Sequence, residues 1–193
     1  MPAAVDRAIL PAPPRIVPPE RRILAQTVSG PVRPGRRTKL LVKHLVRDDI
    51  ALIDHEDIDR VSAEELIAAG VGAVLNCRRS SSGTYPNLGP QLLVEANILL
   101  IDLPDDALFS VLDDGDPIVL VAEGPASEMT AEVRRRGELL ARGEVLRKGQ
   151  PLARGAVLGL ERVRAETEER RREIGEALER FAHNTIEHMR EER

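Results

Sequence analysis

Residues 72–102 read GAVLNCRRSSSGTYPNLGPQLLVEANILLID. Two short apolar runs, GAVLN (72–76) and ILLID (98–102), enclose a polar loop and a short helical pattern. Pro90 suits the first helical position, where its missing N–H costs nothing. Apolar runs of this length between turn residues predict strands buried on both faces. Strand, loop, helix, strand predicts a parallel crossover unit.

The same pattern extends toward both ends. IALID (50–54) predicts a preceding strand, and SAEELIAAG (62–70) a helix. Ser62 with Glu65 reads as a capping box, and Gly70 as the helix stop. RRTKLLVKHLVR (36–47) predicts a short amphipathic helix. After ILLID come DALFSVL (106–112), a short helix, DDGD (113–116), a turn, and PIVLVAEG (117–124), a fourth strand. The fold class expected is therefore α/β, a small parallel βαβ-type, swivelling-domain-like module over residues 36–124.

Outside that module the composition changes. Residues 1–35 carry PAPPR, VPPE and GPVRPG, and predict a flexible proline-rich tail, although RRILAQTV (21–28) inside it has strand or short-helix character. Residues 125–155 predict a β-hairpin or small meander, from AEVRRRGELLARGEVL (131–146) with Gly137 and Gly143 as breaks. Residues 156–193 predict one long amphipathic helix. Leu160, Val163, Ile174, Leu178 and Phe181 recur at helical spacing, and that stripe asks for a partner. No stop signal precedes Arg193, so the polypeptide is expected to continue into a further domain.

Bulk properties exclude several classes. The 193 residues carry a net charge of −4 and only 2 % aromatic residues. No overall basic field favours nucleic acid, and any core must be aliphatic. One cysteine, Cys77, rules out an internal disulfide and fits a reducing compartment. No apolar run is long enough to span a bilayer. A cytoplasmic location is expected.

The polar loop is the chief candidate site. It leaves the carboxyl end of a strand, where open α/β sheets bind ligands, and enters a helix start. Arg78 and the hydroxyls of Ser80, Ser81, Ser82 and Thr84 could hold a phosphate or carboxylate, with Gly83, Tyr85, Asn87 and Gly89 shaping the loop. The same composition also fits an ordered surface loop whose hydroxyls cap backbone groups. Asp54, His55 and Asp57 in DHEDID could ligate a divalent ion, or serve as an acidic helix entry. The histidines of HNTIEH are five residues apart and do not share a helix face. No catalytic set follows from spacing.

RRTK (36–39), DIALIDHEDIDRVSAEEL (49–66), AVLN, SSSGTYPNLGP, ILLID, DDGD and FAHNTIEHMREE (181–192), in this order, resemble the SteA family of actinobacterial cytokinetic-ring proteins. That family is often labelled thiamin pyrophosphokinase-like. Two departures stand out: Cys77-Arg78-Arg79 precedes the serines, and Asn97 stands where the family pattern has glycine. The resemblance implies a role in cell separation, homodimerisation, a coiled-coil membrane-associated partner and recruitment to the division site. It also implies a downstream nucleotide-binding domain, so ATP and Mg would belong there and no cofactor to this chain. Three functions are thus expected to compete: a non-catalytic scaffold, part of a thiamin pyrophosphokinase-like enzyme, and an anion sensor built on the loop. The order of elements is also similar to the swivelling phosphohistidine domains, but the loop lacks their histidine.

Overall fold

A computed structural model describes residues 23–84, 87–125, 129–135 and 151–191. Its strands are β1 (Ile23–Pro34), β2 (Ile50–Ile53), β3 (Ala73–Asn76), β4 (Leu99–Asp102), β5 (Pro117–Pro125), β6 (Thr130–Arg135) and β7 (Pro151–Val157). They close into one barrel in the order β1-β2-β3-β4-β7-β6-β5. From β1 to β4 neighbouring strands are parallel, and every other pairing is antiparallel.

This corrects the expected small parallel βαβ module with a separate hairpin. Three strands outside residues 36–124, β1, β6 and β7, complete the sheet, and two of them make its closing contacts with the parallel strands. The first is β1, inside the stretch expected to be a flexible tail. Its start pairs with β5, from Ile23 opposite Pro125 to Pro31 opposite Pro117, and its end pairs with β2 through Val32, Arg33 and Pro34. Its prolines misled because they normally break ladders. Here Pro34 ends β1, and Pro31 faces Pro117 where the β1–β5 ladder stops. The second segment is β7, which joins β6 to β4 through Ile101–Val157 and Asp102–Ala156. Gly137 and Gly143, taken as hairpin breaks, lie outside the described residues.

Closure explains the apolar runs. In β2, β3 and β4 alternate residues point into the barrel, as Ile50, Leu52, Leu75 and Ile101 do. The intervening Ala51, Ile53, Val74 and Leu100 face outward and are covered by helices. The helices are α1 (Thr38–Leu41), α2 (Arg60–Ala69), α3 (Gly89–Glu95), α4 (Leu108–Val111) and α5 (Leu160–Glu191). Leu66 of α2, Leu93 of α3 and Val163 of α5 are buried in this outer layer. The core is aliphatic throughout, as a chain with so few aromatic residues requires.

Three helix ends are set by single residues. Asp59 caps α2 by accepting from the Ser62 N–H at 2.8 Å, so Ser62 lies inside the helix and the cap sits three residues earlier than expected. Gly70 ends α2 with φ +74°, a left-handed stop. Asn97 likewise adopts φ +60° after α3. Asparagine is among the few side chains that tolerate that region.

Only the first turns of α5 belong to the barrel. Val163 and Thr167 are buried, and Arg164 pairs with Glu95 of α3 at 2.7 Å. The helix has 32 residues, about 48 Å of rise. Beyond Thr167 its apolar side chains are exposed: Ile174 41 %, Leu178 63 % and Phe181 70 %.

Candidate functional site

The loop after β3 is held in place by side chains at three parallel strand ends. Ser80 is fully buried. Its N–H and hydroxyl both donate to the Asp102 carboxylate, at 3.1 and 2.6 Å. The Asn76 amide donates to Ser80 Oγ at 3.0 Å and to the His55 carbonyl at 2.8 Å. The His55 N–H donates back to Asn76 Oδ1. Residues following β2, ending β3 and ending β4 are thereby tied through one serine. Burial pushes the Asp102 carboxyl up from its ordinary value, and its hydrogen bonds from Ser80 oppose the shift.

Most of the loop's other polar groups are likewise internal. Ser82 donates from both N–H and hydroxyl to Asp57, at 2.6 and 2.7 Å. The Thr84 hydroxyl lies 2.9 Å from that of Ser82. The Asn87 amide donates to the Ser80 and Ile58 carbonyls. Gly89 is buried, and a Cβ there would lie 2.1 Å from the Ile58 carbonyl oxygen. The loop reads largely as an ordered, self-capped turn. Tyr85 lies outside the described residues.

Arg78 turns away from the serines and donates to Asp54 at 2.8 Å. Arg36 donates to the other Asp54 oxygen at 2.8 Å, pairs with Asp106 and lies 4.4 Å over the Phe109 ring. Arg78 foremost, then Arg36, holds the Asp54 carboxyl below its ordinary value. His55 Nδ1 sits 3.0 Å from the Thr38 hydroxyl. Asp54, His55 and Asp57 thus serve three different partners rather than converging. No group of three or more His, Cys, Asp or Glu that could hold a metal is found among the described residues. The Cys77 thiol is buried, and burial pushes it up to about 12, so it is neutral at physiological pH and a poor nucleophile.

What remains open is a cleft of about 910 Å³ beyond the carboxyl ends of β3 and β4. One wall is the loop, with Arg78, Arg79, Ser81, Ser82 and Gly83. A second comes from β7, with Arg154 and Gly155, and the third from α5, with Arg162, Glu166 and Arg170. Gly83 has φ +81°, and its Cα region abuts the Arg170 guanidinium, so the loop tip touches the helix. Of the expected ligand residues, Arg78, Ser81, Ser82 and Gly83 line this cleft; Ser80, Thr84, Asn87 and Gly89 do not. Arg154, Arg162 and Arg170 were not expected. They lie far along the chain from the loop, and only barrel closure brings them to it.

The helix candidates divide in the same way. Leu160 is half-buried and Val163 buried at the root of α5, whereas Ile174, Leu178 and Phe181 stand clear of the barrel. Among the described residues, no helix is long and apolar enough to cross a membrane. Compared with family models and with curated protein sequences, the chain matches none.

Proposed function

We propose that the chain is a non-catalytic scaffold whose barrel roots and aims α5, and whose distal α5 face pairs with the same face of a second copy. One observation carries this reading: the helix face buried at Val163 and Thr167 continues past the barrel as exposed Ile174, Leu178 and Phe181. Gly175, Ala177 and Ala182 flank that stripe. Small uncharged flanks let two identical helices approach without setting like charges against each other. A parallel, in-register pair would oppose Arg171 to Arg171. An antiparallel pair centred between Leu178 and Phe181 avoids this and sets Leu178 of each copy against Phe181 of the other.

Ser80 is fully buried with its hydroxyl donated to Asp102, and Cys77 is a buried, neutral thiol, so neither is presented to a substrate. In the setting that the SteA resemblance suggests, such a dimer would act in the cytoplasm during cell separation and dock a coiled-coil, membrane-associated partner.

Substitution tests the pairing. Leu178→Asp and Phe181→Asp should each weaken self-association at least about tenfold, the effect of losing one well-buried apolar anchor. Melting of the barrel, followed at low concentration, should be unchanged. Self-association that survives the double substitution contradicts the reading.

A further inference from the structure

Five guanidinium groups line the cleft, from Arg78, Arg79, Arg154, Arg162 and Arg170, against the carboxylates of Glu56, Asp102, Glu166 and Glu169. Four of the five arginines already have a carboxylate partner, three of them outside the lining. Asp102 is engaged by Ser80. Arg78, Arg154 and Arg170 pair with Asp54, Glu132 and Glu173, which lie outside the cleft lining. The Arg162–Glu166 pair, at 2.9 Å, is an exposed contact of one helical turn and exchanges easily. Among the described residues Arg79 makes no ion pair, and the Ser81 hydroxyl makes no hydrogen bond.

Planar guanidinium forks from a loop and from a helix, facing one space, match the oxygen geometry of phosphate better than that of a single carboxylate. The position agrees, since ligands of parallel sheets gather beyond the carboxyl strand ends.

We propose that this cleft binds a compact phosphate-bearing anion, with Arg79 and Ser81 of the loop and Arg162 and Arg170 of α5 as its contacts. Such a ligand bridges the β3–α3 loop to the root of α5 and stiffens the exit of that helix from the barrel. The site stands independently of helix pairing, because its residues precede the exposed stripe.

The test is calorimetric titration of the full chain with inorganic phosphate, with ionic strength held constant by sodium chloride and citrate as the carboxylate arm. Saturable phosphate binding is expected. It should weaken at least about tenfold in Arg79→Ala and in Arg162→Ala, the usual consequence of losing a charge-assisted hydrogen bond. Arg180→Ala, far out on α5, should bind as the parent does. Arg79 is exposed, so Arg79→Ala keeps the fold, and its unchanged melting curve without ligand checks this. Absence of saturable binding, indifference to Arg79→Ala, or preference for citrate over phosphate overturns the proposal.

Discussion

Asp54 and Asp102 both lie at the carboxyl ends of parallel strands, and their surroundings push them in opposite directions. Arg78 and Arg36 lower Asp54 below its ordinary 3.8, so its contribution to stability is present above that pH and is lost as pH falls through the lowered value. Burial raises Asp102, so the folded chain keeps that proton longer than the unfolded chain does. Stability therefore falls as pH rises from 3.8 through the raised value. Urea unfolding between about pH 2 and 7 separates the two. Asp54→Asn should flatten the acid-side loss, whereas Asp102→Asn should remove the fall on the rising side. The same sign of change in both variants contradicts this assignment. The sequence showed Asp54 only as one acid in DHEDID. Its two arginines lie eighteen residues before and twenty-four after it, and no local pattern pairs them. Ser80 was legible as polar but not as buried, since the Asp102 carboxylate and the Asn76 amide that satisfy it meet only in the fold.

At the scale of elements, β7 is the piece on which closure depends. It meets β4 through two residue pairs, and Gly155 sits beside them. A Cβ on Gly155 would lie 2.6 Å from both the Asp102 carbonyl oxygen and Ile101 Cγ2. Gly155→Ala should therefore lever β7 from β4 and cost about 1–3 kcal/mol in urea denaturation, the range for overpacking a tight site. A neutral effect would show that the β4–β7 seam gives freely. Strands β2, β3 and β4 were readable because burial on both faces writes an unbroken apolar run. Strand β1 was not, because its local signal is proline and its strand character comes from partners some ninety residues away. For α2, Asp59 and Ser62 are both good caps by type, and geometry selects the aspartate.

For the molecule as a whole, a closed barrel leaves no free sheet edge, so any self-association would use another surface. The exposed half of α5 is the surface proposed to supply it. The spacing of its apolar residues predicts the helix; the charged run EERRRE (168–173) interrupts the stripe but does not say which side of it the barrel covers. The SteA resemblance and the helix pairing meet in one expectation, a symmetric pair of barrels joined through α5. Sedimentation equilibrium of the unmodified chain across a wide concentration range tests it most directly. The account predicts a mass approaching twice the 21.2 kDa of one chain as concentration rises. A single-chain mass at every concentration, with Leu178 and Phe181 left in water, would contradict it.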